Sequence, residues 1–143
     1  HIIGIASGSS LRGYHNEVPY CTIKHGQEGF VKALALEARD HNIAVNTVGP
    51  GKPIKATRVT WEEFEAMPEA QKAAWADPRE LGRAFVWLLH QPPARFSGLR
   101  FDAGPILEAL QADGESFALI PRNLTLYPDD FKARQEWFNA YRA

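Results

Sequence analysis

The sequence predicts an α/β domain built on a parallel sheet, and three observations carry that expectation. Residues 2–6 form a short apolar run that closes on the cluster Ser7-Gly8-Ser9-Ser10, as a buried strand passing into a loop does. Between residues 19 and 40, Ile23, Phe30, Val31, Leu34 and Ala38 recur at helical spacing. Residues 43–48 are a second apolar run, stopped by Gly49-Pro50-Gly51. Strand, long helix and strand with short connections make a βαβ unit, hence a parallel pair with a right-handed crossover.

The other elements follow in order. Pro19 suits the first turn of its helix, where a missing N–H is harmless, and His41-Asn42 ends that helix. Residues 52–77 are expected to hold one or two short helices, starting near Thr60 and Pro68. Asp77-Pro78 reads as an N-cap and first-turn proline, and Leu81, Ala84, Phe85, Leu88 and Leu89 supply one apolar stripe up to His90. Gln91-Pro92-Pro93 breaks that helix, and residues 98–102 form a third strand ending at Ala103-Gly104-Pro105. Residues 106–143 read as less regular. Asp129-Asp130 can cap a last helix there, with Phe131, Arg134, Trp137, Phe138 and Tyr141 as its packing side. Three parallel strands are few for an open sheet, and the first already reads as mid-core. Half of the fold is therefore expected to lie outside these residues. The chain itself reads as one domain over 1–143, with 1–104 as its main body and 105–143 as a C-terminal extension packing on it.

Composition narrows the functional classes. The 143 residues are 45% apolar, with 16 basic against 17 acidic side chains and a net charge of -1. That balance lacks the broad basic surface of nonspecific nucleic-acid binding. No apolar run approaches the roughly 20 residues of a membrane span, so neither nucleic acid nor membrane is expected as a partner. The single cysteine, Cys21, has no internal disulfide partner, which favours the cytoplasm. His1, His15, His25, His41 and His90 are too scattered for a metal site.

Three residues form a chemical constellation. Tyr20 and Lys24 are four positions apart on the predicted helix and share a face. Ser7 lies just past the C-terminal end of the preceding strand, and ligands of doubly wound sheets bind outside those strand ends. A lysine ammonium one turn from a tyrosine favours the phenolate, and a serine hydroxyl can donate to an oxygen as charge develops on it. Tyr-x-x-x-Lys alone is also an ordinary surface pair; the surrounding motifs give it weight.

Those motifs are the strand and serine Ile2-Ile3-Gly4-Ile5-Ala6-Ser7, then Tyr20-Cys21-Thr22-Ile23-Lys24, Leu34-Ala35-Leu36-Glu37 and Val45-Asn46-Thr47-Val48-Gly49-Pro50-Gly51. Asp77-Pro78-Arg79-Glu80-Leu81-Gly82-Arg83-Ala84 and Ser97-Gly98-Leu99-Arg100-Phe101-Asp102-Ala103-Gly104 continue the series. In order and register, over about residues 1–104, they resemble the short-chain dehydrogenase/reductase family. The resemblance implies a Rossmann-like doubly wound parallel sheet, of which the chain carries the second, catalytic half. It implies an NAD- or NADP-dependent oxidoreductase transferring hydride between the cofactor and a small alcohol or carbonyl compound, with no metal. Tyr20 would be the general acid/base, Lys24 would bind the nicotinamide ribose and ease deprotonation of Tyr20, and Ser7 would polarise the carbonyl. Tyr20 and Lys24 would thus also touch the cofactor, together with Pro50, Gly51, Ile54 and Thr57, the last two standing where the family has one threonine nearer the glycine. The family's glycine-rich phosphate turn is not among these residues. The alternative is a non-catalytic or split dehydrogenase half, acting as a subunit or an NAD(P)-sensing binding module.

The helix carries Gly26, Gly29, Ala33 and Leu36 beyond its sheet-facing stripe, and in the resembling family this helix packs against its copy. A homo-oligomer, or a chain supplying the missing N-terminal half, is the expected partner. Cys21 reads as a packed thiol. Tyr14 and His15 read as a surface loop that can touch substrate, and Glu62, Glu63 and Glu65 as a solvated helix face.

Overall fold

The computed structural model describes residues 1–54 and 59–114. Within them, β1 (Ile2–Ile5), β2 (Val45–Gly49) and β3 (Arg100–Asp102) form one parallel sheet in the order β1-β2-β3. Ile2 stands beside Val45 and Thr47 beside Arg100. The helices are α1 (Val18–Glu37), α2 (Trp61–Glu65), α3 (Glu69–Lys72), α4 (Pro78–Leu89) and α5 (Ala103–Asp113).

Successive strand residues point to opposite faces, and that alternation sorts the core into two layers. Val45 packs with Val31, Ala35 and Ala38 of the α1 side. Val48 and Phe101 pack with Leu81, Ala84, Trp87 and Leu88 of α4 and with Ala103 and Ile106 of α5. Helices therefore cover both faces of a parallel sheet, the α/β architecture expected. Phe101, Leu88 and Ile106 are fully buried, and each such side chain contributes about 1.5–3 kcal/mol.

The sequence expectation for α1 is corrected in one respect. Glu28, Val31, Ala35 and Ala38 are the buried residues of this stretch, whereas Ile23 and Phe30 are 66% and 62% exposed. Ile23 and Phe30, seven residues apart, share a face roughly a quarter-turn from Val31 and Ala38. Apolar residues occupy both faces, so spacing alone did not say which one meets the sheet. Gly4 lets α1 approach: a Cβ there would lie 3.2 Å from Val31. The helix stops at Glu37, three residues before the expected 40. A 3-10 turn (Arg39–His41) follows, and then Asn42 in the left-handed region at φ 56°.

Other boundaries shift for local reasons. Ile2 and Ile5 of β1 are exposed, not buried on both faces, because β1 is bonded to β2 on one side and forms the sheet edge. The second strand runs from Val45 to Gly49, not 43–48. The third shrinks to Arg100–Asp102, its approach pinned by the buried Asn46 side chain. Asn46 Nδ2 donates to the Phe96 carbonyl at 2.9 Å and its Oδ1 accepts from Leu99 N at 3.1 Å. In α4, Leu89 of the expected stripe is 48% exposed, and Trp87, outside that stripe, is buried. Residues 103–113 are helical where Gly104-Pro105 read as a stop. Proline fits a first turn, whose N–H groups have no helical partner, and Gly104 N bonds the Pro50 carbonyl at 3.0 Å. The short helices begin where expected, Thr60 and Glu63 forming a reciprocal cap on α2. The expected helix after Asp129-Asp130 lies outside the described residues. Among the described residues no helix is long and apolar enough to cross a membrane, and no cluster of metal-ligand type occurs.

Candidate active site

The sheet-facing row of α1 continues past the end of the sheet. Ala38, Ala35 and Val31 pack on the strands, Gln27 and Glu28 come next, and then Lys24 and Tyr20 one and two turns nearer the N-terminus. Pro19 sits in the first turn without disturbing it. The packing that buries Val31 and Ala35 therefore delivers Tyr20 and Lys24 to the C-terminal end of β1.

Lys24 marks the meeting point. Its Nζ donates to the Ile5 carbonyl at 2.6 Å and to Gln27 Oε1 at 3.2 Å, and lies 5.7 Å from the Tyr20 ring centroid. In β1, Ile2 N and Ala6 N bond to β2, so Ile5, between such positions, turns its carbonyl to the outer edge. There the ammonium takes it. The Tyr20 side is 46% exposed, open to a ligand.

Ser7, two residues past Ile5, caps the 3-10 turn Gly8–Ser10. Its Oγ accepts from Ser9 N at 3.2 Å, and its N–H donates to Ser10 Oγ at 3.1 Å. Ser9 Oγ in turn donates to Glu17 Oε2 at 2.8 Å, tying the turn to the start of α1. The structure thus brings Tyr20 and Lys24 together and holds the Ser7 turn against the same strand end and helix start.

Pro50, Gly51 and Ile54 lie in the loop after β2, at the C-terminal ends of the same parallel strands. Gly51 has φ 72°, and a Cβ there would come within 2.8 Å of Asp102 Cβ, so only glycine fits. Ile54 is 45% exposed and bridges to Ala76, whose N–H takes the Pro53 carbonyl at 2.7 Å. Thr57 lies outside the described residues.

Sequence reasoning missed a buried ionic group beneath the site. Arg100 of β3 pairs with Glu28 of α1 and lies 3.7 Å from Asp102 Oδ1, while Thr47 Oγ1 donates to Glu28 Oε2 at 2.9 Å. A signal was available. Arg100 and Asp102 alternate with Leu99 and Phe101 in a strand that must be buried, and a buried arginine requires an acid. Tyr14 is a half-exposed loop residue, its hydroxyl accepting from Arg12 Nε at 2.6 Å; Cys21 is half-buried, and Glu62, Glu63 and Glu65 are exposed.

Comparison with known proteins agrees with this architecture. The family model described as short chain dehydrogenase matches residues 1–68. Carbonyl reductase family member 4 of Danio rerio is 30% identical over 103 residues, 72% of this chain and 44% of that one. Acetoacetyl-CoA reductase of Paracoccus denitrificans is 31% identical over 101 residues, 68% of this chain and 42% of that one. A short chain dehydrogenase from Shigella flexneri 2a, solved in complex with NADP, superimposes with a TM-score of 0.56 at 25% identity, over 72% of this chain and 41% of that one. The chain belongs to the short-chain dehydrogenase/reductase family. This dehydrogenase/reductase chain spans about two fifths of the length of those relatives.

Proposed function

We propose that the chain carries the catalytic half of an NAD- or NADP-dependent oxidoreductase, which moves hydride between nicotinamide and a small alcohol or carbonyl compound with Tyr20 as general acid/base. The observation that carries this reading is Lys24, bonded to the Ile5 carbonyl and set against the Tyr20 ring at the end of a parallel strand. The names of the relatives, a carbonyl reductase and an acetoacetyl-CoA reductase, favour a carbonyl substrate, and the neighbour's NADP favours a nicotinamide cofactor.

The residues present fit the nicotinamide–ribose end of such a cofactor. An ammonium has three donors, and Ile5 O and Gln27 Oε1 take two, which leaves one for a ribose hydroxyl. When bound, the nicotinamide supplies or accepts the hydride. Tyr20 Oη gives its proton to the carbonyl oxygen in reduction and takes it back in oxidation, while the Lys24 charge stabilises the phenolate. Ser7 Oγ already accepts from Ser9 N, so its own proton can be donated to the substrate oxygen as negative charge grows there. Pro50 and Gly51 would line the cofactor, and Ile54 and Thr57 would meet the nicotinamide carboxamide. The exposed positions Gly26, Gly29, Ala33 and Leu36 are where a second copy would pack.

The test is transfer of deuterium from reduced, 4-deuterated NADH or NADPH to small ketones and 3-oxo thioesters. Label in the alcohol product, and its loss with Tyr20→Phe, is the expected result. A protein that binds either cofactor yet transfers no label to any carbonyl would overturn the reading.

A further inference from the structure

Arg100 is 96% covered by its residue environment, being only 4% exposed, and lies on β3 two strands away from the Ser7 turn. Its guanidinium nonetheless reaches that turn. Nη2 donates to the Ser7 carbonyl at 3.0 Å while Nη1 holds Glu28. The arginine fork is rigid and planar, so fixing one arm fixes the other. Glu28 is itself held by Thr47, and it stands one turn beyond Lys24 on α1. One side chain thus fastens the backbone of Ser7 to β3, to β2 through Thr47, and to the helix that carries Tyr20 and Lys24.

We infer that Arg100 is a positioning residue that fixes Ser7 relative to Tyr20 and Lys24. It touches neither substrate nor cofactor. The inference rests on the proposed role of Ser7 as donor to the substrate oxygen. Three features support it. The Ser7 carbonyl, one residue beyond the last β1–β2 ladder bond at Ala6 N, accepts from Ser10 N at 3.0 Å within its own turn and from Arg100 Nη2 at 3.0 Å, and the Arg100 bond is the one that ties it to β3. Thr47 and Arg100 stand side by side in register, so the anchor is built into the sheet. Gly49 leaves room for it, since a Cβ there would lie 2.9 Å from Arg100 Nη2. A serine donor displaced by about 1 Å loses about 10²-fold in rate, whereas binding of a cofactor held by other residues is unaffected.

The test compares Arg100→Lys, Ser7→Ala, their double variant and Phe101→Leu in the active enzyme, reading kcat, cofactor KM and thermal midpoint. Arg100→Lys keeps a cation for Glu28 but has no second arm for Ser7. We expect kcat to fall about 10- to 100-fold with cofactor KM unchanged. In the Ser7→Ala background, Arg100→Lys should cost almost nothing further, because it acts through Ser7. Phe101→Leu, which loosens β3 on the opposite face, should lower the midpoint without moving kcat. An unchanged kcat in Arg100→Lys, or an equal further loss in the double variant, overturns the inference while leaving the Ser7 role standing. An unchanged kcat in Ser7→Ala overturns the Ser7 role and the inference with it. If Arg100→Lys does not fold, the uncharged pair Arg100→Gln with Glu28→Gln replaces it and is read by the same criteria.

Discussion

Lys24 Nζ donates to the carbonyl oxygen of Ile5 at 2.6 Å, and that bond joins the outer edge of β1 to the second turn of α1. A carbonyl at a sheet edge otherwise seeks a strand or water. Here it orients an ammonium whose aliphatic stem runs from the helix to the strand, with the Tyr20 ring 5.7 Å from the charge. The distance between Tyr20 and the strand end is thereby set by a side chain that is also part of the proposed chemistry.

Replacing Tyr20 with phenylalanine keeps the ring beside Lys24 and removes the transferable proton. Turnover should fall by about 10²–10⁴-fold, the usual contribution of a general acid/base. Cofactor affinity, measured by calorimetry, should change little, since the Lys24 bonds to Ile5 and Gln27 remain. Turnover within a few-fold of the parent would remove Tyr20 from the mechanism.

Lys24→Ala should behave differently, because it removes the ammonium from both tasks at once. Cofactor KM should rise and kcat should fall by about 10²-fold or more as the phenolate loses its charge partner. A variant with both values unchanged would make Lys24 an edge-binding surface lysine and nothing more.

The contrast between these residues and Arg100 shows what the chain makes legible. The placement of Ser7, Tyr20 and Lys24 near one strand end was readable because each stands at a fixed spacing from an element boundary, and local pattern carries such spacings. The starts of α2, α3 and α4 were readable for the same reason, through Thr60, Pro68 and Asp77. The Arg100–Glu28 pair spans 72 positions and exists only when two strands and a helix are assembled. The same limit applies to α1. Ile23, Phe30, Val31 and Ala38 are all apolar in sequence; Gly4 makes room for Val31 against the sheet, and Ala38 packs in the same cluster with Val45. Residues 103–113 were misread for another reason: Gly104 and Pro105, usually breakers, are harmless in the first turn of α5.

Asp77 makes acid stability depend on the α4 cap. Its carboxyl is held below the ordinary value of 3.8, first by the side-chain bond from Arg79 and then by the Arg79 backbone N–H. The native state therefore binds fewer protons than the unfolded chain around that value, and stability rises with pH there. The contribution is complete above 3.8 and is lost as pH falls through the lower native value. Asp77→Asn keeps a capping oxygen without the charge. Its thermal midpoint should lie below the parent's near about pH 6 and converge on it near about pH 2. A constant gap across that range would show that the charge plays no part.

Phe101 tests the layer beneath β3. It is 1% exposed, stacks edge-on with Phe96 at 5.4 Å between ring centroids, and packs among residues of α4 and α5. Phe101→Ala leaves a cavity the surrounding helices cannot fill, and should cost about 3–5 kcal/mol in urea unfolding. A loss under about 1 kcal/mol would mean that this layer collapses freely around the gap.

Gly49 tests whether the buried ions have room to spare. Its backbone lies in β2 with no positive φ, so alanine is conformationally acceptable there and any penalty is steric. An added Cβ would sit 2.8 Å from Asp102 Oδ1 and 2.9 Å from Arg100 Nη2, closer than such atoms approach. Exposed side-chain ends would swing away, but these two belong to side chains 3% and 4% exposed; Arg100 is held by Glu28 and the Ser7 carbonyl, and Asp102 lies 3.7 Å from Arg100. Gly49→Ala should therefore destabilise by about 1–3 kcal/mol, the usual penalty of overpacking. Gly82, inside α4, supplies the opposite case. A Cβ there meets nothing within 4 Å. Gly82→Ala should stabilise by about 0.5–1 kcal/mol through helix propensity alone. Urea unfolding of both variants measures the pair, and a neutral Gly49→Ala beside a stabilised Gly82→Ala would show that Arg100 and Asp102 can yield without cost.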